Sequence, residues 1–200
     1  MRKPHTFAEL QEFYVSEYRP LYDRFVVEYM LPQELHAEVA AAFDHLMRRA
    51  DVTDGIDNQD FERVVGHLKR ATFDSFKLLF EKGIREKHDR FMETRYADVE
   101  DGDFQPRIRK RFNDAVAIAC EARTLEHVTD SVDPEAWGKA FEVWKRLLPI
   151  ADEFTKLESS PKILRAQAKG RRKKFWSISK DIALLFVGAF LSWLLAKFLG

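Results

Sequence analysis

The chain has a single cysteine, Cys120, so no disulfide can form within it. The apolar run AVAIAC around that residue points to a small buried thiol. Glycine is scarce: all eight are isolated, which excludes a glycine-rich phosphate loop. No stretch alternates apolar and polar residues, so no strand is expected. The N-terminus, MRKPHTFAEL, lacks the apolar core of a secretory signal, and the chain is expected to start in the cytosol. None of the six histidines stands in an HExxH pattern or near paired cysteines, so no zinc site and no cofactor are expected. The acidic stretch DVTDGIDNQD, residues 51–60, fails as a calcium loop: with Gly55 at the sixth position, Ala50 falls at the first. There is no serine-centred nucleophile elbow, no repeat of domain-building length and no low-complexity segment.

What is present is apolar spacing of helical period. A first helix is expected from about Thr6 to Met30, opened by a Thr6/Glu9 capping box and carrying Phe7, Leu10, Tyr14, Tyr18, Leu21, Phe25 and Tyr29 on one face. Pro20 should kink or split it, because proline removes a backbone donor and crowds the preceding turn. A second helix follows Pro32, with Leu35, Val39, Ala42, Phe43, Leu46 and Met47 inward. The third, from about Asn58 to Tyr96, is the longest, with a bend expected at Gly83 and a charged end, EKHDRFMETR, projecting from the core. The fourth, from about Pro106 to Thr129, opens on the basic PRIRKRF. Its apolar middle predicts the central buried helix. The fifth opens at Asp133-Pro134, presents Trp137, Phe141, Trp144 and Phe154, and should kink at Pro149.

Charge divides the chain in two. Lys+Arg and Asp+Glu are 33 each, yet residues 161–200 carry nine basic residues and one acidic, a net of +8, leaving 1–160 at −8. The acidic body argues against nucleic acid, and no DNA partner is expected. The basic end leads into Ile182–Leu199, whose one charge is Lys197. About 18 residues at about 1.5 Å each reach about 27 Å, close to a hydrocarbon core of about 30 Å. This predicts a transmembrane helix. Arg171, Arg172, Lys173 and Lys174 hold their side of the bilayer cytoplasmic, and Phe175 and Trp176 suit its interface. Three parts are expected: a cytosolic helical bundle over 1–160, a basic stalk over 161–174 after Ser159-Ser160-Pro161, and a tail anchor over 175–200. Within the anchor, Gly188, Ser192, Ala196 and Gly200 recur every four residues, a ridge of small side chains that lets membrane helices pack closely.

Residues 58–80, NQDFERVVGHLKRATFDSFKLLF, resemble the long helix of HEPN-type all-helical domains through His67-Leu68-Lys69-Arg70-Ala71 followed by Asp74 and Lys77. The resemblance covers about a quarter of the chain. It implies an antiparallel helical bundle, often dimeric, and in many members a metal-independent ribonuclease with arginine and histidine separated by four to six residues. Here Arg63/His67 and Arg123/His127 have three intervening residues each. That spacing places arginine and histidine on one helix face, where the first can hold a phosphate and the second can move a proton. Arg123 and His127 are the favoured pair because their helix opens basic.

The expected fold is therefore all-α, a bundle of about five helices with a long central one, plus one C-terminal transmembrane helix. The expected partners are the lipid bilayer, further copies of the chain, and a possible protein partner. The architecture is similar to small membrane accessory proteins of bacterial antiphage and CRISPR systems. That similarity implies a single-pass protein of a bacterial inner membrane, N-terminus cytoplasmic, that oligomerises and perturbs or perforates the bilayer. Two other functions fit the same sequence: a tail-anchored adaptor that holds a protein at the membrane, and a membrane-tethered ribonuclease.

Overall fold

Thr6 turns an extended entry into the first helix. Its backbone is extended (φ −127°, ψ 160°), its hydroxyl accepts from the Glu9 N–H at 3.2 Å, and the Glu9 carboxylate accepts from the N–H groups of Thr6 and His5. This is the expected capping box, and it satisfies donors that an open helix end leaves bare. The computed structural model describes residues 4–29, 33–47, 58–93, 96–97, 99–128 and 135–169.

Within these residues the elements are α1 (Phe7–Phe13), a π turn (Tyr14–Tyr18), α2 (Arg19–Glu28), α3 (Gln33–Met47), α4 (Asn58–Leu78), a second π turn (Leu79–Arg85) and α5 (Glu86–Phe91). A 3₁₀ turn (Val99–Gly102), α6 (Phe104–Glu126), α7 (Ala136–Lys145) and α8 (Leu148–Glu158) follow. A last helix, α9, covers 161–169. The fold is all-helical, as expected.

Contacts fix the topology as five rods. Glu38 meets His67 and Arg70, while His45 meets Asp60, so α3 runs antiparallel to α4. Glu126 meets Trp144 and Glu121 meets Arg146, so α6 runs antiparallel to α7. Along the first rod, Phe13 packs on Phe141, Glu17 pairs with Lys145 and Arg24 pairs with Asp152, so α1–α2 runs parallel to α7–α8. Phe76 packs on Phe141, and Lys87 reaches Thr155, so α4–α5 runs the same way. Three long rods thus point one way, with α3 and α6 reversed. Their shared interior is aromatic: Tyr18, Phe25, Phe76, Phe91, Phe104, Phe141, Trp144 and Phe154 are fully buried.

The two prolines act differently. Pro20 does not break its rod. The π turn just before it lets the Arg19 N–H reach the Tyr14 carbonyl, so a widened turn makes room where the proline ring would crowd the chain. Pro149 divides the fifth rod, which turns at Arg146–Leu147 and restarts with proline in the first turn of α8. Gly83 lies in the second π turn with the Tyr29 hydroxyl close by: a Cβ there would meet that oxygen at 3.0 Å.

Four expectations are corrected. Cys120 is exposed, not buried. Its helix, α6, buries Ala115, Ile118, Ala119 and Ala122 on one side and leaves Ala117 and Cys120 outside, so it is not the central helix. Small side chains give up little when exposed, which is why an apolar-looking stretch can still be one-sided. Residues 86–93 of the charged EKHDRFMETR do not project: Lys87 and Phe91 are buried against α8 and α6. Phe43 and Met47, expected inside, are exposed. Among the described residues no helix is long and apolar enough to cross a membrane. The expected anchor, 175–200, with Gly188, Ser192 and Ala196, and the collar Arg171–Trp176 lie outside the described residues.

Candidate functional site

Where α1 crosses the α3–α4 pair, the bundle does not close. Phe7, Leu10 and Gln11 of α1, Tyr14 of the π turn after it, Ala42, Phe43 and Leu46 of α3, and Leu68 of α4 line a groove of about 190 Å³. Its wall is almost wholly apolar, with Gln11 the one polar side chain apart from the Tyr14 hydroxyl. Phe7 (53% exposed) and Phe43 (46% exposed) stand at its mouth. Tyr14 packs edge-on against Phe43 with ring centroids 5.9 Å apart, which ties the two walls together. Glu12 and Asp44, next in sequence to lining residues Gln11 and Phe43, are exposed. The groove exists because the α1 stripe is too wide for the core. Leu10 and Phe13 enter it, while Phe7 is left at the rim.

A seam of paired charges runs along the same α3–α4 hairpin. The His67 Nδ1–H donates to Glu38 Oε2 at 2.7 Å, and Arg70 Nε donates to the same oxygen at 3.1 Å. Arg70 Nη2 also lies 2.8 Å from His67 Nδ1. One nitrogen cannot give its proton to the carboxylate and accept from arginine, so the proton is assigned toward Glu38 and both side chains are drawn to that carboxylate. Burial pushes the Glu38 carboxyl up, but the hydrogen bonds from His67 and Arg70 and their charges outweigh it and hold the group below its ordinary value. Further along, Asp60 receives Arg63 Nη1 at 3.3 Å and faces His45 Nδ1 at 3.7 Å, and the His45 and His67 rings stack at 5.3 Å. Two imidazoles, two carboxylates and two guanidiniums are therefore engaged with one another, in a clamp that fixes the groove's α3 wall to α4.

The HEPN-like positions fall on this seam and beyond it. His67 and Arg70 are in the clamp. Lys77 pairs with Asp74 at 3.1 Å and with Glu126 at 3.0 Å, and Glu126 also accepts from the Trp144 indole N–H, so Lys77 links α4, α6 and α7. In the pair Arg63/His67, each side chain is turned to its own carboxylate. Arg123 and His127 are both exposed at the end of α6, where His127 is the C-cap, and neither makes a side-chain hydrogen bond or ion pair among the described residues. Among those residues, no group of three or more histidine, cysteine, aspartate or glutamate side chains is placed to hold a metal ion.

A second polar cluster joins α2, α5 and α8. Lys87, 5% exposed, donates to Thr155 Oγ1 at 2.7 Å, lies 3.5 Å from Glu158 and stands over the Tyr29 ring. Burial draws the Lys87 ammonium below its ordinary value, against the opposing pull of Glu158. Tyr29, beside it, is pushed up to about 12, by burial first and then by Glu28. The groove, Glu38 and the burial of Lys87 were not read from sequence. Each depends on which rods meet, and Glu38 is 29 residues from His67. Comparison with protein-family models, curated proteins and solved structures finds no match.

Proposed function

We propose that this protein is a membrane-tethered adaptor: the tail holds it at a bilayer, and the groove between α1 and α3 holds the apolar face of a helix from a protein partner. The groove is the observation that carries this reading. Elsewhere the bundle's large apolar side chains are mostly inside, whereas here Phe7 and Phe43 flank an open apolar cleft of the size that takes one or two large side chains. The body's net charge of −8 over 1–160, with Glu12 and Asp44 beside the cleft, favours a helix with basic flanks. The tether is the stretch 170–200, with its basic collar and apolar run.

A second copy of the chain is the other occupant with support, from the small-residue ridge Gly188, Ser192 and Ala196. In that case the protein works by assembling in an inner membrane and disturbing it. A photoreactive residue at position 43 separates the two. A crosslink to a different protein, lost when Phe7→Glu puts a charge at the mouth, is the expected result. A crosslinked species of twice the chain's mass supports the assembly reading. No crosslink in cells removes the groove from both.

A further inference from the structure

We infer that α9 is a membrane-surface helix: it lies on anionic lipid headgroups and seats the body directly on the bilayer. This rests on the membrane reading of the tail and adds the surface that meets the lipid. Residues 161–169 were expected to begin a stalk. Instead they form a helix whose Ile163 is buried in the core and whose Ala166 packs against it. Beside this buried face, Lys162, Arg165 and Lys169 are all exposed, at spacings of three and four residues that place them in one stripe. Leu164, 50% exposed, stands about 100° around the helix from Arg165, at the other edge of the exposed arc. A basic edge and an exposed leucine on the solvent arc of a helix fixed from behind are the makeup of an interfacial helix.

The charge distribution points to lipid as the occupant. Among the described helices α9 alone has no acidic residue, in a body that is otherwise net negative and repelled by an anionic surface. Lys162 lies 3.7 Å from Glu100, which Arg107 also holds at 2.9 Å. Arg165 and Lys169 make no side-chain hydrogen bond or ion pair among the described residues. Chain length adds a second constraint. Trp176 is seven steps along the chain from Lys169, and an extended chain of that length spans at most about 25 Å. With Trp176 at the interface, the end of α9 can be no farther than about 25 Å from it. Charges farther than about 10 Å from the surface would be screened, so the stripe acts only if it docks.

The test uses the full chain in vesicles of phosphatidylcholine alone and of phosphatidylcholine mixed with phosphatidylglycerol. An environment-sensitive fluorophore is placed at position 164 (Leu164→Cys with Cys120→Ala), with the exposed native Cys120 labelled separately as the control. Emission at 164 should shift to the blue and brighten on the anionic vesicles only, and emission at 120 should not change. Removing the stripe (Lys162→Gln, Arg165→Gln, Lys169→Gln) should abolish the shift, since each cation near such a surface changes the docked fraction roughly fivefold. All three side chains are exposed, and unchanged helicity by circular dichroism confirms that the variant is folded. Water-like emission at 164, in a chain that floats with anionic vesicles, overturns the inference and leaves the tether standing; an acidic protein as the true partner of the stripe would give that result. Equal shifts on both lipids also overturn it. A chain that floats with neither vesicle refutes the tether and this inference together.

Discussion

At the residue scale, two charged side chains behave in opposite ways for the same reason. Glu38 is half-buried but accepts hydrogen bonds from His67 and Arg70, so its charged form is favoured on folding. Its lowered value means that the stabilisation is present above the ordinary carboxylate range and is lost as pH falls through the folded-state value. Glu38→Gln should cost about 1 kcal/mol near neutral pH, the lower end for charged hydrogen bonds because the side chain is 29% exposed. Thermal unfolding against pH should show that difference vanish in acid. Lys87 is the reverse: burial outweighs its partners, so its charge is a standing cost near neutral pH, and stability should rise as pH climbs from its lowered value toward that of free lysine. Glu158 also holds Arg90, so losing Lys87 does not strand it. Lys87→Met should change stability by less than about 1 kcal/mol, whereas Glu158→Gln, which leaves Lys87 buried with less compensation, should cost more. Chemical unfolding of the two variants checks the order.

At the element scale, the rods themselves were legible in the sequence. The Thr6/Glu9 box and the apolar stripes of the third and fifth helices depend on neighbours within a few residues, and they appear as expected, while Pro149 opens a new helix where a kink was expected. What was not legible is how wide a stripe the core accepts. Phe43 and Phe7 look like core residues by spacing, and only the packing of α1 across α3 leaves them at an open cleft. Lys87 looked like surface because it sits among charges, but the parallel run of α5 beside α8 covers it. Cys120 failed in the other direction, since small residues do not reveal which side faces in. The Gly83–Tyr29 contact is a further cross-rod effect that tests the packing. Gly83→Ala gains about 1 kcal/mol of helix propensity but overpacks against the Tyr29 hydroxyl and the Leu79 side chain, at a cost of about 1–3 kcal/mol. Gly83→Ala alone should therefore be neutral or destabilising. In a Tyr29→Phe background the nearest clash is gone, and the same change should become stabilising. A double-mutant cycle with a coupling above about 0.5 kcal/mol confirms that the π turn and α2 are packed as described.

At the scale of the whole molecule, the two proposed surfaces lie far apart. Leu68, on the groove, and Arg90, beside the end of α8, are 22 residues apart on one continuous rod, about 33 Å at helical rise. With α9 on the headgroups as proposed, the groove is carried away from the lipid. That separation favours a protein rather than the bilayer in the groove, and it explains why the acidic charge collects on the body while the basic charge collects beyond residue 160. The clamp of Glu38, His67 and Arg70 then has a plain role: it keeps α3 against α4 so that the groove's far wall stays in place.

The central claim is that one end of this chain binds a partner and the other end decides where that partner is. It is tested most directly by following the crosslink from position 43 in fractionated cells, with the full chain and with a chain lacking 175–200. The account predicts one adduct of the same composition in both, in the membrane fraction for the full chain and in the soluble fraction for the truncated one. An adduct that stays with the membrane after truncation, or a full chain whose adduct is already soluble, would contradict it.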